Sequence, residues 1–321
     1  MNIHIVHLPH TFAFLVDLSL AYNRYGFSTV TLVANGFDYD QIKSLRNMVC
    51  KYSFIKILDI PTKRILSHGQ ALNYAFENSH EKYFCFADHD IFPTKPIVDI
   101  IKSTLQSYDV VCFGNRPENI QAVYKGFAAS AIATQSGIPL ATSFFSIYKR
   151  SQVKSVSELY KVGFEQYFRK SQIPDSLASL KDIQTLEEPF LIDTCKSLSL
   201  AMHLSDKTTK HMGSSMVCHL GGMCGAISRF IKNERQIKKE FIIQDIPRTE
   251  LLEEYFQTNQ QRHPKILEVK RLISDYSLQL LVALKQGLEP PNFICENENY
   301  QNTFKLIYQQ TSKMFINSAQ K

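Results

Sequence analysis

Apolar and polar positions along the first half of the chain predict strands and helices in turn. Short runs of apolar and β-branched residues predict strands at 3–8, 28–33, 54–58, 83–87, 109–113 and 144–148. Between them, apolar residues recur at helical spacing in segments 12–22, 38–52, 67–76 and 97–105. Because strands that alternate with helices form parallel sheets with right-handed crossovers, the pattern predicts an α/β fold.

The fourth predicted strand leads directly into two acidic residues. The run YFCFADHD at 83–90 places Asp88 and Asp90 where an apolar, doubly buried strand ends. Ligands of open α/β sheets bind beyond the carboxyl ends of the strands. Carboxylate oxygens at that edge suit Mg²⁺ or Mn²⁺, which in turn suit a phosphorylated ligand.

A second acidic pair occurs about a hundred residues later. Glu187 and Glu188 precede Pro189 and an apolar run, and we interpret them as the start of a helix. The helix dipole alone favours acidic residues in a first turn. The alternative is that one of them is a general base or binds a sugar hydroxyl.

A histidine and two glycines follow in the sequence CHLGGMCG at 218–225. One interpretation is that His219 ligates a metal while the glycines allow close backbone packing against a phosphate. A glycine turn with a surface histidine is the simpler interpretation. A zinc site built from Cys218, His219, Cys224 and His211 is a third, although the spacing matches no standard zinc signature.

The character of the chain changes near residue 229. Long helical patterns cover 231–241, 249–256, 264–286 and 299–315. We therefore divide the chain into a catalytic domain, 1–228, and a helical extension, 229–321. The extension is expected to pack on the catalytic domain, form a homodimer or dock on a membrane surface.

Composition narrows the class of protein only slightly. The 321 residues carry a net charge of +6, which permits an acidic ligand or a membrane surface but does not require nucleic acid. Seven cysteines without a pairing rhythm indicate reduced thiols and a cytoplasmic location. The first residues look like a strand and not a signal peptide, and no apolar run is long enough to span a bilayer.

The segment ILSHGQALNYAFENSHEKYFCFADHDIFP, at 65–93, resembles the donor-binding half of GT-A fold nucleotide-sugar glycosyltransferases, most closely the bacterial family two enzymes. The resemblance covers about 1–228. It implies a Rossmann-like, mostly parallel sheet with helices on both faces, followed here by the helical extension. It also implies a Mn²⁺- or Mg²⁺-dependent transferase that moves a sugar, UDP-linked in our expectation, to a hydroxyl of a glycan or glycolipid. The expected setting is surface polysaccharide synthesis in the cytoplasm, peripherally at the inner face of the plasma membrane.

The resemblance also implies roles for individual residues. It assigns the metal to Asp88, Asp90 and His219. It assigns the nucleotide sugar to Pro9, Asn35, Arg64, Gly69, Asn73 and Asp88, and catalysis to Glu187 and Glu188. The family's acidic pair is usually Glu-Asp, and a metal-binding histidine is frequent among retaining members, so both stereochemical outcomes stay open.

Two other classes of function remain. A haloacid-dehalogenase-like phosphohydrolase would use Asp88 as its nucleophile, but such sites normally have Thr or Val where Phe92 stands. A non-catalytic sugar-binding protein would use the same fold without turnover. A dinucleotide enzyme is disfavoured, because the first βα turn lacks G-x-G-x-x-G.

Overall fold

The computed structural model describes residues 1–114, 126–128, 131–224, 226–227, 264–292 and 298–316. The helices predicted at 231–241 and 249–256 lie outside these ranges. The strands are β1 Asn2–His7, β2 Thr29–Ala34, β3 Ile55–Asp59, β4 Tyr83–Ala87, β5 Ile91–Pro93, β6 Val110–Phe113, β7 Gly126–Phe127, β8 Phe145–Lys149, β9 Leu191–Ile192, β10 Thr209–Met212 and β11 Val217–His219. The helices are α1 Leu15–Arg24, α2 Tyr39–Val49, α3 His68–Glu77, α4 Val98–Ser107, α5 Arg150–Tyr160, α6 Asp175–Ala178, α7 Lys181–Gln184, α8 Lys196–Leu204, α9 Pro264–Gln286 and α10 Glu298–Ile316.

Seven of these strands form the central sheet, in the order β10-β6-β8-β4-β1-β2-β3. Strands β4, β1, β2 and β3 pair in parallel, as do β10 and β6. Strand β8 runs antiparallel to both of its neighbours. The predicted α/β class and mostly parallel sheet are therefore confirmed, and the carboxyl ends of β1, β2 and β4 meet at one edge.

Helices cover both faces of the sheet because its central strands are buried on both sides. In β4, Phe84 and Phe86 belong to the apolar cluster that α3, α5 and α8 cover. Cys85 and Ala87 belong to the opposite cluster, together with residues of α1, α2 and α4. The continuous apolar run at 83–87 predicted this double burial correctly.

The segment after β4 forms a second short sheet. Residues 91–93, which follow the acidic pair, form β5, and β5 pairs antiparallel with β11. In this register His219 is opposite Ile91, the residue next to Asp90. The pairing joins parts of the chain that are far apart in sequence and so could not be predicted from local pattern.

Helices α9 and α10 pack on the domain that carries the sheet. Packing of this kind was one of the three expectations for the helical extension. Their buried residues Tyr276, Leu281, Phe304 and Ile307 belong to the same apolar cluster as α1 and α4. A 2.7 Å ion pair between Lys285 and Asp17 also joins α9 to α1. None of the described helices is long and apolar enough to cross a membrane.

Candidate metal centre and active site

Three side chains converge at the carboxyl edge of the sheet. One ligand atom from each of Asp88, Asp90 and His219 lies within 4.8 Å of the others. Asp90 is almost fully buried, whereas Asp88 and His219 each keep 31% of their side-chain surface exposed. The predicted convergence of these three residues, called here the metal cluster, is confirmed. It faces solvent on one side, as a ligand site requires.

Main-chain hydrogen bonds fix Asp90 in this cluster. The Leu220 amide donates to the Asp90 carbonyl oxygen at 2.8 Å, and the Met223 amide donates to Asp90 Oδ2 at 3.0 Å. The turn between them passes through Gly221 and Gly222, whose φ angles of 71° and 72° are costly for other residues. The glycine pair noted in the sequence therefore folds the chain back onto Asp90.

Asp88 and His219 are both held by Phe144. The Asp88 amide donates to the Phe144 carbonyl oxygen at 2.8 Å. The Phe144 ring lies 4.7 Å from the His219 ring, centroid to centroid, and is tilted by 33°. On its other side, Asp88 Oδ1 lies 3.5 Å from Nε2 of His68, the first residue of α3.

The pKa values of Asp88 and Asp90 are shifted in opposite directions. Burial raises the pKa of Asp88, and the neighbouring charges of Asp90 and Asp193 raise it further, against an opposing effect of His219. Burial also acts to raise the pKa of Asp90, but attraction to His219 and the Met223 hydrogen bond outweigh it and lower the pKa. Burial lowers the pKa of His68 to about 4, so this imidazole is neutral near pH 7.

The donor set fits a divalent cation such as Mn²⁺ or Mg²⁺. Asp90 Oδ1 is buried and has no hydrogen-bond partner among the residues that the structure describes. It lies 3.3 Å from His219 Nε2, and adjacent ligands of an octahedral ion at about 2.1 Å stand about 3 Å apart. Two oxygen ligands and one imidazole suit Mn²⁺ well.

The alternative zinc set is not assembled. His211 Nε2 instead lies 2.8 Å from the Leu140 carbonyl oxygen. Across the described ranges, the Asp88–Asp90–His219 group is the one in which three potential ligands come together. The interpretation of His219 as a metal ligand is therefore preferred to the zinc site.

A third carboxylate acts on the same region from a different part of the chain. The charge of Asp193 contributes to the raised pKa of Asp88 and opposes the lowered pKa of His68. Asp193 accepts hydrogen bonds from Gln166 Nε2 at 2.6 Å and Ser143 Oγ at 3.2 Å. These three residues are called here the Asp193 cluster.

Glu187 and Glu188 do not begin a helix. They lie, exposed, in the irregular segment between α7 and β9, and the next helix begins only at Lys196. Glu188 accepts a 2.6 Å hydrogen bond from the Lys170 amide and lies 3.5 Å from Arg169. The helix prediction was wrong because the apolar run after Pro189 forms strand β9, which pairs with β7. Their catalytic role stays a prediction.

Gly69 and Asn73 face a neighbouring loop. A Cβ atom at Gly69 would lie 2.2 Å from the Phe164 carbonyl oxygen, so α3 and this loop can touch only through a glycine. Asn73 accepts a hydrogen bond from the Phe164 amide at 2.9 Å and donates a very short one to Glu165. These contacts give both residues a packing role, and their contact with a nucleotide stays a prediction.

The remaining predicted nucleotide ligands occupy the same end of the sheet. Pro9 follows β1 and begins a 3₁₀ helix, and Arg64 is exposed on the loop before α3. Asn35 is buried, and its amide both donates to and accepts from the main chain of Leu66, each at 2.9 Å. Because these bonds occupy its side chain, Asn35 shapes the loop that carries Arg64; its contact with a nucleotide stays untested.

His68, Phe144 and Asp193 were not predicted as site residues. A signal existed for His68, since Ser67 and Gln70 have the sequence spacing of a capping box, which the structure contains and which places His68 at the start of α3. Asp193 lay in the acidic segment that the sequence singled out. Nothing local marked Phe144, whose role arises from the position of β8 beside β4.

Comparison with known proteins yields structural likeness only. No family model and no curated protein sequence matches the chain. Among solved structures, a mannosyltransferase from Pyrobaculum calidifontis in complex with GDP-Man and Mn²⁺ is 11% identical, with 98% of this chain and 86% of that chain covered and a TM-score of 0.44. Glucosyl-3-phosphoglycerate synthase from Mycobacterium tuberculosis, in complex with Mn²⁺, UDP and glucosyl-3-phosphoglycerate, is 10% identical over 76% and 80%, with a TM-score of 0.41.

A third solved structure is similar at the same level. The 4-diphosphocytidyl-2C-methyl-D-erythritol synthase from Anaerococcus prevotii is 10% identical, with 66% of this chain and 88% of that chain covered and a TM-score of 0.37. Values this low leave the function to be inferred from the geometry of the site.

Proposed function

We propose that this chain is a divalent-metal-dependent glycosyltransferase that uses a nucleotide-sugar donor. The observation that supports this most directly is the metal cluster at the carboxyl edge of a mostly parallel sheet. Asp88, Asp90 and His219 supply two hard oxygens and one imidazole, a set that suits Mn²⁺. Such an ion, once bound, acts as a Lewis acid that neutralises the negative charge developing on a departing diphosphate.

The residues around the metal cluster have separate roles in binding the ion and the donor. Asp90 is ionised and fixed by main-chain amides, so it provides a ligand oxygen that needs no rearrangement. His219 is oriented by its contact with the Phe144 ring. Asp88 is more exposed, and we assign it a contact with the ribose as well as with the ion. The neutral imidazole of His68 stays beside it and can donate a hydrogen bond to a phosphate oxygen.

The acceptor side requires a base near the hydroxyl that attacks the sugar. We assign this function to Asp193 in preference to Glu187 or Glu188. The preference is supported by the electrostatic effect of Asp193 on Asp88 and His68 and by the hydrogen bonds that fix its carboxylate. A positioned general base typically contributes about 10²- to 10⁴-fold in rate. With Asp193 in this role the reaction inverts the anomeric configuration, and an NMR spectrum of the first product formed reports it.

The finer assignments extend the proposal. We place the protein in the cytoplasm, where the buried thiols of Cys85, Cys112 and Cys195 stay reduced. The donor is UDP-linked, and the acceptor is a glycan or glycolipid of surface polysaccharide synthesis. The leucines exposed on α9 and α10, Leu272 and Leu306, support a peripheral membrane contact that complements a lipid-linked acceptor.

The test is thermal stability of the purified protein against a panel of nucleotides, each with and without Mn²⁺. A nucleotide at about a hundredfold its dissociation constant adds about 2.7 kcal/mol of stability. The expected result is a stabilisation by UDP that requires Mn²⁺ and disappears in His219→Ala. The variant Asp99→Asn, on an exposed carboxylate of α4, is the control and retains the response.

Other results would change or end the proposal. Stabilisation by GDP or CDP instead of UDP keeps the transferase and changes the donor. Stabilisation without any transfer or donor hydrolysis, across a broad panel of nucleotide sugars, indicates a sugar-binding protein. No response to any nucleotide with Mn²⁺ contradicts the proposed function.

A further inference from the structure

Helix α9 contacts the segment that connects His219 to Met223. Ser277, which is fully buried on α9, has its Oγ 3.1 Å from the Leu220 carbonyl oxygen and 2.8 Å from the Ile273 carbonyl oxygen one turn earlier in α9, so its single proton is shared between the two acceptors. Leu220 is the residue after His219, and its own amide donates to the Asp90 carbonyl oxygen. The main chain of Leu220 is therefore held between Asp90, through its amide, and α9, through its carbonyl oxygen.

The rest of the contact is closely packed. A Cβ atom added at Gly222 would lie 3.5 Å from the Cβ atom of Ser274 on α9. Leu281 of α9 lines a cavity of about 10 Å³, together with Asp90 and Met223. A cavity of this size holds about one water molecule, so α9 packs closely against Asp90.

The hydrogen bond of Ser277 adds a restraint to a segment that is otherwise held by the short pairing of β11 with β5 and by two hydrogen bonds to Asp90. Two consecutive glycines with positive φ angles connect Leu220 to Met223, and glycine restricts the backbone less than any other residue. Strand β11, which carries His219, is only three residues long. An external restraint at Leu220 therefore orients the His219 side chain and the Met223 amide together.

We propose that α9 is part of the metal site and that Ser277 is a positioning residue, which sets His219 and the Met223 amide through Leu220. This inference rests on the proposed metal-dependent function. It gives the C-terminal helices a role in the chemistry of the domain, in addition to their packing. Ser277 does not touch the ion or a substrate and acts only through the 219–223 segment.

The experiment compares Mn²⁺ binding by wild type and Ser277→Ala, followed by electron paramagnetic resonance of free Mn²⁺. Residues that orient metal ligands typically contribute about 10- to 100-fold in metal affinity. We expect Ser277→Ala to bind Mn²⁺ about tenfold more weakly, with an altered spectrum of the bound ion. Ser277→Cys, which keeps the volume but is a weaker donor, is expected to be intermediate and covers the case in which the alanine variant does not fold.

The matched control is Thr311→Val on α10. Thr311 is also buried, and its hydroxyl has no hydrogen-bond partner among the described residues, so Mn²⁺ affinity is expected to be unchanged. A Ser277→Ala or Ser277→Cys affinity equal to that of wild type would overturn the inference and leave the proposed function intact.

A second readout needs no metal. Amide hydrogen exchange of the segment 217–223 in metal-free protein is expected to be faster in Ser277→Ala than in wild type, while exchange in β3 stays the same. If wild type itself does not bind Mn²⁺, the proposed function fails, and the exchange rates alone decide whether Ser277 positions the segment. Unchanged exchange in that case overturns the inference.

Discussion

The metal cluster and the Asp193 cluster differ in how far side chains hold them in place. Asp90 is fixed by main-chain amides of Leu220 and Met223. Asp193 accepts hydrogen bonds from the side chains of Ser143 and Gln166 as well as from one main-chain amide, that of Thr194, at 2.8 Å. Main-chain restraints survive most substitutions of neighbouring side chains, whereas side-chain restraints do not. The comparison indicates that single side-chain substitutions change the geometry of the Asp193 cluster more readily than that of Asp90.

Two buried side chains also hold the segment that leads to Ser143 in the Asp193 cluster. The buried ammonium of Lys196 donates to the carbonyl oxygens of Ala131 and Ala141, at 2.7 and 2.6 Å. Asp182 accepts hydrogen bonds from the amide of Ser136 and the hydroxyl of Thr134, each at 3.1 Å. Lys196 and Asp182 therefore both hold the loop 131–142, which leads to Ser143.

The largest effect is expected from the metal cluster itself. Asp90→Asn retains an oxygen for the Met223 amide but removes the buried negative charge, and ligand charge strongly controls the affinity for a divalent ion. We expect Mn²⁺ affinity to fall by about 10³-fold. Asp88→Asn is expected to cost about tenfold less, because Asp88 is more exposed. Titration of Mn²⁺ by electron paramagnetic resonance measures both, and equal losses would contradict the ranking of the two carboxylates.

The next largest effect is expected from Asp193, and it distinguishes the role of the Asp193 cluster from that of the metal cluster. Asp193→Asn is expected to lower the transfer rate about 10²- to 10³-fold, because a general base is lost, while Mn²⁺ affinity stays within about threefold of wild type. Steady-state transfer assays with saturating donor measure the loss. Glu187→Gln and Glu188→Gln are the matched controls and should retain most of their activity. The assignment would be reversed if either glutamine variant were inactive while Asp193→Asn transferred normally.

The sequence predicted those parts of the site that depend on local pattern. The apolar run at 83–87 predicted a doubly buried strand, and Asp88 and Asp90 followed because a strand's carboxyl end faces the ligand edge. Gly221 and Gly222 were recognised as a turn that allows close backbone packing. The meeting of His219 with Asp90 came from the family resemblance, since no local pattern indicates that β11 pairs with β5.

The features of the site that the sequence did not predict depend on contacts between segments that are far apart in the sequence. The partner of Asn35 is Leu66, 31 residues away, and the partner of Gly69 is a loop between α5 and α6. Asp193 directly follows β9, whose pairing with β7 joins segments far apart in the sequence and could not be predicted from the acidic pair before it. Side chains whose partners lie far away in the sequence are therefore harder to predict than side chains at the end of a patterned strand.

A third prediction tests whether Gly69 serves packing or the nucleotide. Gly69→Ala forces a Cβ atom against the Phe164 carbonyl oxygen, a main-chain atom that cannot rotate away. We expect a loss of about 3 kcal/mol in the free energy of unfolding, the upper range for overpacking, measured by urea denaturation. Gly213→Ala is the control, because nothing lies within 4 Å of its added Cβ atom. Unchanged stability with weakened nucleotide binding would instead favour the role that the resemblance implied.

The smallest effect is expected from Asp182→Ala, which removes support from the Asp193 cluster without touching it. Burial acts to raise the pKa of Asp182, but hydrogen bonds from Ser136 and Thr134 outweigh it and lower the pKa. We expect the variant to lose about 2 kcal/mol of stability at pH 7, the range for hydrogen bonds to a charged group. Asp175→Ala, an exposed carboxylate on α6, is expected to change stability by less than about 0.5 kcal/mol.

The effect of Asp182→Ala on stability is expected to depend on pH. A carboxyl group whose pKa is lowered by folding stabilises the folded state above its unfolded pKa of about 3.9. That contribution is lost as the pH falls through the lower folded value. The difference in stability between wild type and Asp182→Ala should therefore be constant from about pH 7 to pH 5 and shrink below about pH 4. A difference that does not shrink would mean that the carboxylate charge of Asp182 is not what holds the loop, and that the Asp193 cluster does not depend on this side-chain interaction.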